Sequence, residues 1–224
     1  MSCLFSLGRI ALRYAVMSML LVAVAATAAG CQLFGAIVEQ TQGDDPIKAI
    51  YVPAKVPMVV LVENYDGSSA IESENLTGYI EGEITQNKIA PLVGSDRIAV
   101  LKDADPTAFH NMSIKAIAQA VGAKQVLCVD KVDAEYDQPQ ASDMAQGSLS
   151  ANARIVSADT GDSVWPAGAE AGKRFSVEIP FTPLNQASQS ELRSRLTHAL
   201  AVQIVNTFHD YQRTPEDVDS SQRP

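Results

Sequence analysis

The densest group of ionisable side chains in this sequence is acidic. It consists of Asp130, Asp133, Glu135 and Asp137, and on a β-strand the last three would share one face because side chains alternate with a period of two. Such a strip could hold a cation or dock a basic partner, and docking would weaken as salt screens the charges. A solvated strand end is the simpler interpretation. A two-carboxylate hydrolase is not indicated, because nothing in the sequence points to burial of either acid in a cleft.

Histidine and cysteine, which supply most nucleophiles and metal ligands, are scarce. His198 and His209 lie eleven residues apart on one predicted helix, about 16 Å along its axis, which is too far to share a metal ion. Cys128 lies in a short apolar run, and no His, Lys or Arg is placed by sequence to lower its pKa, so we expect a small buried side chain. The G-x-S-x-G, H-E-x-x-H, P-loop and dinucleotide motifs are absent from the sequence. We therefore predict a non-catalytic protein with no metal site and no cofactor.

One aromatic side chain is a further candidate for partner contact. Trp165 is the sole tryptophan and stands between a turn and Pro166. Burial against the last helix is the simpler expectation, and a partner-contacting aromatic at the sheet edge is the alternative. The candidate partner-docking residues are therefore Asp133, Glu135, Asp137 and Trp165.

The overall composition excludes two broad classes of protein. The chain has 224 residues, with 17 Lys and Arg against 26 Asp and Glu and a net charge of −9, so it offers no basic stripe to nucleic acid. A hydrophobic content of 46% with 19% charged residues is unlike that of a largely disordered chain. The length fits one domain of ordinary size.

The first thirty residues have the layout of an export signal. Arg9 and Arg13 precede an uncharged apolar stretch, 14–29, as in a secretory signal peptide. The stretch leads into Thr-Ala-Ala-Gly-Cys at 27–31, which resembles the lipobox of bacterial lipoproteins. That resemblance implies cleavage before Cys31, acylation of this residue with fatty acids such as palmitate, and permanent attachment to a membrane.

Two questions about the membrane stay open at this point. No charge lies between Arg13 and Glu39, and those 25 residues could instead form an uncleaved membrane helix, which needs about 20. Either arrangement places the rest of the chain outside the cytoplasm. In lipoproteins of enteric bacteria, Asp after the cysteine keeps the protein in the inner membrane. Gln32 occupies this position, which favours the outer membrane, with the domain facing the periplasm.

The chain divides into four predicted parts: a lipoprotein signal peptide at 1–30, a tether at 31–56, a single α/β domain at 57–211 and a disordered acidic tail at 212–224. The tail is polar and lacks apolar periodicity. Within the domain, β-branched apolar runs predict strands and i, i+4 apolar spacing predicts helices. The predicted strands are 58–62, 98–101, 125–132, 151–156, 163–165 and 175–179, and the predicted helices are 76–84, 114–121 and 189–209.

The order β-α-β-α-β-β-β-α predicts a mixed α/β fold in which helices pack on a mixed sheet. Ser113 is the expected N-cap of the second helix, and Gly122 is expected to end it. Leu192, Leu196 and Leu200 begin an i, i+4 ridge on the last helix that is long enough to cover a sheet.

The segments 122–130 and 153–165 resemble an envelope superfamily that includes the TolB amino-terminal domain, the curli-secretion lipoprotein and the lipoprotein activators of penicillin-binding proteins. In that group a helix ends at Gly-Ala, a strand enters the sheet, and a hairpin leads to a large residue such as Trp165. The similarity covers about 57–211. Two features differ: no stretch has the length and alternation of the curli channel's membrane-crossing hairpins, and the tether is shorter than in enteric synthase activators.

Taken with the lipobox, this resemblance implies a lipid-anchored, non-enzymatic protein whose domain binds a protein partner in cell-envelope assembly. The alternative is an auxiliary subunit of an envelope transporter that binds a small ligand or lipid in a pocket between sheet and helices. The partner, the oligomeric state and the presence of a pocket are not determined by the sequence.

Overall fold

The computed structural model describes residues 46–63, 70–137, 144–183 and 188–212, and five strands and five helices form within these ranges. The strands are β1 (Met58–Val62), β2 (Gln125–Asp137), β3 (Met144–Ser157), β4 (Ser163–Trp165) and β5 (Lys173–Pro183). The helices are α1 (Ala70–Gln86), α2 (Asp96–Ala104), α3 (Pro106–His110), α4 (Ile114–Val121) and α5 (Gln189–Val205). The predicted mixed α/β class is confirmed.

The sheet combines one parallel pair with antiparallel pairs. Its order is β1-β2-β3-β4, and β5 pairs with β3 beside β4. β1 runs parallel to β2, and β2 runs antiparallel to β3. Helices α1 to α4 all lie in the connection between β1 and β2, as a parallel pair requires a long crossover.

Both faces of the sheet are covered by helices, but to different extents. On the first face, Leu127 and Val129 pack with α1 and α5. On the second face, Val126 and Cys128 pack with α2 and α4. Alternate residues of β2 therefore enter opposite cores. The helix residues buried against the first face are Leu76, Ile80, Ile84, Leu196, Leu200 and Ile204.

The caps of α4 match the sequence expectation. The Ser113 side chain accepts a hydrogen bond from the Ala116 N–H, and Gly122 ends the helix with a left-handed φ of 81°. At this φ a side chain would be strained, and glycine is not. The helix therefore stops where β2 has to begin.

One predicted strand is wrong. Residues 98–101 lie in α2 and not in the sheet. The apolar residues that pack on the second face are Ile98 and Leu101, whose i, i+3 spacing is helical, while Val100 points into solvent. The Glu81 carboxylate also holds the start of this helix, because it accepts hydrogen bonds from Ser95 N and Oγ.

The hairpin of β2 and β3 is longer than predicted. β2 continues to Asp137, five residues past the expected end at Val132, and β3 begins at Met144 inside the expected loop. Polar residues alternate with small or apolar ones along this extension. That pattern suits a strand with one buried and one exposed face, although turn-forming residues had favoured a loop.

The domain begins earlier than expected. Ile47 pairs with Tyr211 through two backbone hydrogen bonds of 2.8 and 3.1 Å. Lys48 Nζ lies 2.8 Å from the Asp210 carboxylate, which also accepts from the Ala49 N–H, and both hydrogen bonds lower the pKa of Asp210. Residues 47–56, placed in the tether by sequence, therefore contact the domain, and 47–211 form one compact unit.

The predicted signal peptide, residues 31–45 of the predicted tether and residues 213–224 of the predicted tail lie outside the described residues. Within the ranges that are described, no helix combines the length and the apolar character needed to cross a bilayer.

Candidate functional site

Three carboxylates form a strip along the far half of β2. Asp133, Glu135 and Asp137, here called the acidic strip, are all exposed, whereas Ala134 and Tyr136 turn toward the first-face core. The three acids therefore share one side of the strand, the second face of the sheet.

A β-bulge decides which face the acidic strip occupies. Asp130 stands opposite Asn152 and Asp133 opposite Ser150, so two residues of β2, 131 and 132, oppose the single Ala151. Before the bulge the odd-numbered Leu127 and Val129 enter the first-face core. If the strand alternated regularly through residues 131 and 132, with no bulge, the same period of two would carry the three odd-numbered acids into that core.

The surface around the acidic strip is polar and spans three strands. Opposite the strip on β3 lie the buried Ser150 and the partly exposed Ser148 and Gln146. Gln146 Nε2 donates to Asp137 Oδ2 at 3.3 Å. On β5, Ser176 lies opposite Ser150 and Glu178 lies opposite Ser148, on the same face of the sheet. A second-face residue such as Arg174 also contributes, since its Nη2 donates to Ser150 Oγ at 2.8 Å.

The geometry of the acidic strip favours a docking surface over a metal site. Successive acids on one strand face are about 7 Å apart, so the three carboxylates are spread along the strand. Across the described residues no three His, Cys, Asp or Glu side chains are placed to hold a metal ion. Exposed carboxylates in a row instead present a continuous negative surface to a basic partner.

No protein-family model and no curated protein matches the sequence. Among solved structures, the chain is similar to lipoprotein GNA1162 from Neisseria meningitidis, with 18% identity over 67% of this chain and 99% of that one and a TM-score of 0.43. It is also similar to the PelC dodecamer from Paraburkholderia phytofirmans, with 13% identity over 74% of this chain and 94% of that one and a TM-score of 0.42. A minor lipoprotein from Acinetobacter baumannii has 13% identity over 68% of this chain and 91% of that one, with a TM-score of 0.40.

These TM-scores are below 0.5, so the three likenesses carry no conclusion about this chain. The resemblance to the TolB-type superfamily stays a prediction, as does the membrane attachment at Cys31, which lies outside the described residues.

Trp165 lies apart from the acidic strip, in the first-face core. It is 6% exposed and its ring contacts Phe208 edge-on at 5.0 Å between centroids. Tyr51 and Phe175 lie on its other sides, each at 6.3 Å. Trp165 thus joins four parts of the chain, and its buried ring offers little surface to a partner.

A second polar group lies at the end of β1, midway along β2, and it was not predicted from the sequence. Arg154 stands opposite Cys128 on β3, and its Nη2 lies 3.8 Å from the half-buried Asp130 carboxylate. Arg154 Nη1 donates to the Glu170 carbonyl. The sequence carried a signal for this group, because Arg154 is the one charged residue of β3 and a charge in a buried strand needs a partner. The adjoining cleft, of about 40 Å³, is close to the size of one water molecule.

Burial affects the pKa of Cys128 more than the nearby Arg154 does. The thiol is 4% exposed, and this burial raises its pKa to about 12, although the nearby Arg154 opposes the shift. The thiolate is the reactive form of cysteine. Cys128 is therefore a poor nucleophile despite the neighbouring guanidinium.

We expect Cys128 to resist alkylation in the folded protein. With a pKa of about 12, only about one thiol in ten thousand is ionised at pH 8, and the side chain is buried. Iodoacetamide followed by mass spectrometry should find Cys128 unmodified in native protein and modified in denaturant. The matched control is Val100→Cys, at a position 69% exposed, which should react in native protein. Comparable native rates at both positions would contradict the burial argument.

A shallow groove lies between the hairpin end and the start of α5. It has a volume of about 160 Å³, below the roughly 300–1,000 Å³ of typical small-molecule sites. Arg193 covers one side by stacking over the Tyr136 ring at 4.5 Å. The lining is mixed polar and apolar, and the groove is too small for a lipid. It therefore gives no support to the transporter-subunit alternative.

Proposed function

We propose that this chain is a non-catalytic lipoprotein of the bacterial cell envelope. Acyl chains on Cys31 hold it to the outer membrane, and its α/β domain faces the periplasm. The domain binds a protein partner in envelope assembly through the acidic strip. The observation that carries the docking surface is the bulge, which turns three carboxylates away from the core into solvent.

The attachment rests on the amino-terminal sequence. Arg9 and Arg13, the apolar stretch 14–29 and the small residues before Cys31 together form the pattern of an exported lipoprotein. Gln32 after the cysteine supports the outer membrane as the destination.

The docking surface rests on burial and charge. The helices of the second face cover Val126, Cys128 and Val156, and the acidic strip lies beyond them along β2. A bulge that exposes a row of acids is a specific local feature, because a regular strand would not place them there. Its partner is expected to present Lys or Arg side chains.

The direct test is recovery of a partner from detergent-solubilised envelopes. Affinity-tagged chain should recover a stoichiometric protein partner, and the variant Asp133→Asn/Glu135→Gln/Asp137→Asn should recover about tenfold less. Three partly exposed charge pairs at about 0.5 kcal/mol each correspond to roughly that factor. Recovery by wild type should also fall as salt rises.

The matched control removes the same charge elsewhere. Glu74, Asp103 and Asp162 are also exposed, and Glu74→Gln/Asp103→Asn/Asp162→Asn should recover the partner as wild type does. An equal loss of partner recovery in both triple variants would indicate a net-charge effect and contradict docking through the acidic strip. The lack of any stoichiometric partner would contradict partner binding altogether.

A further inference from the structure

Two apolar side chains are held in solvent just before β1. Ile50 is 67% exposed and Val52 is 66% exposed. Among the large apolar side chains of the described residues, only Val100 at 69% is more exposed. Single exposed apolar side chains are common. Two on neighbouring outward positions form a small apolar patch that needs an explanation.

The backbone prevents this pair from turning inward. The N–H groups of Ile50 and Tyr51 both donate to the Thr207 carbonyl, at 2.9 and 3.1 Å. Between the two exposed residues, the Tyr51 ring packs on Trp165 and Phe208. Burying Ile50 would require Tyr51 to leave the core. The two apolar side chains are therefore presented to solvent by a fixed segment.

The segment lies at the edge of the sheet where β1 and β2 begin, here called the amino edge. Gln125 Nε2 donates to the Ala54 carbonyl at 2.8 Å, and the Lys124 N–H donates to the Pro57 carbonyl at 2.8 Å. Asp133 is eight residues further along β2 than Gln125, and Asp137 is twelve. At about 3.3 Å per residue the acidic strip stands roughly 26 to 40 Å from the amino edge.

The amino edge is also where the chain from the membrane anchor arrives. Pro46 follows Cys31 by 15 residues, which span at most about 54 Å in any conformation and about 22 Å as a random coil. The amino edge is therefore the part of the domain with the shortest path to the bilayer. An acidic strip placed against the bilayer would need most of the extended length.

Charge favours the same orientation. At the amino edge, Lys48 lies near Asp210 and Lys124 near Asp159, while Lys55 Nζ donates to the carbonyls of Lys88 and Ile89. These side chains are three Lys against two Asp, whereas the far end carries the acidic strip. An anionic phospholipid surface therefore repels the acidic end and does not repel the amino edge.

We propose that the amino edge rests on the bilayer that holds the acylated Cys31, with Ile50 and Val52 inserted into the lipid interface. This proposal rests on the lipid anchor of the proposed function. Side chains of interfacial segments enter the headgroup and acyl boundary by about 5–10 Å. The domain then has one orientation on the membrane, and its acidic strip faces away from the lipid.

The test uses the full acylated chain in vesicles of phosphatidylethanolamine and phosphatidylglycerol. Ile50→Cys and Val52→Cys are each labelled with a nitrobenzoxadiazole fluorophore, and quenching by doxyl-labelled phospholipid is measured. The control is Val100→Cys, which matches Ile50 in exposure but lies on α2. Buried Cys128 takes no label in the folded chain. Quenching at positions 50 and 52 should be several-fold greater than at position 100.

Each outcome has a separate meaning. Equal quenching at positions 50 and 100 overturns the proposed orientation, and so does a blue-shifted emission at position 50 without lipid quenching, because a second copy would then cover the patch. Flotation of the same samples tests independently whether the lipid anchor attaches the chain to the vesicles. Chain that floats with the vesicles but is not quenched leaves the lipoprotein function standing, and chain that does not float removes the anchor on which it depends.

Discussion

Replacement of Cys31 by alanine is expected to abolish incorporation of labelled palmitate into the chain. The lipobox-like segment predicts acylation at this residue, and each buried methylene of an attached chain would contribute about 0.8 kcal/mol to membrane binding. Labelling in the bacterial host followed by gel autoradiography measures the effect. The variant should also keep residues 1–30, because cleavage at a lipobox follows acylation of the cysteine.

The control for this experiment is Cys128→Ala. Cys128 is buried in the second-face core, so its loss should leave the palmitate signal unchanged. Label that persists in Cys31→Ala would falsify the lipoprotein assignment. An uncleaved membrane helix over the uncharged stretch between Arg13 and Glu39 would then take its place.

Deletion of Ala134 is expected to lower the free energy of unfolding by roughly 3–5 kcal/mol. Removing one residue after the bulge reverses the alternation of the rest of β2, so that Glu135 and Asp137 turn toward the first-face core. Loss of the bulge would avoid this, but it would turn Asp133 inward instead. Burying an uncompensated charge costs about 3–5 kcal/mol. Urea unfolding followed by circular dichroism measures the change.

Deletion of Lys131 is the matched control, and it should behave differently. It removes one of the two residues that oppose Ala151, so Val132 takes the inward position and Asp133 stays opposite Ser150. Every later side chain keeps its face, and we expect a change of about 1 kcal/mol or less. If the two deletions were equally harmful, hairpin length and not side-chain direction would control stability.

The parts of the fold that were predictable from sequence are those with local signals. Ser113 and Gly122 mark the ends of α4 because capping and a left-handed φ depend on a few adjacent residues. The ridge that begins at Leu192 marks α5 in the same way. The parallel run Met58–Val62 was readable as a strand because both of its faces are buried.

The parts that were not predictable depend on contacts between distant segments. Ile98 and Leu101 form a helical pair only because α4 and the second face lie beneath them. In isolation, the β-branched Ile98 and Val100 favour a strand. Arg154 meets Asp130 and Cys128 through strand register, which no local pattern encodes. The alternation of Asp133, Glu135 and Asp137 was visible, but the bulge that turns them outward was not.

The pairing of Ile47 with Tyr211 determines where anything fused to this chain is displayed. Both ends of the described domain lie together, so a reporter joined directly after Gln212 emerges beside Ile47. A reporter inserted between β2 and β3 would instead emerge at the opposite end, about 40 Å away along β2. Fusions at these two places would therefore report on two different neighbourhoods of the same molecule, one beside the paired Ile47 and Tyr211 and one beside the acidic strip.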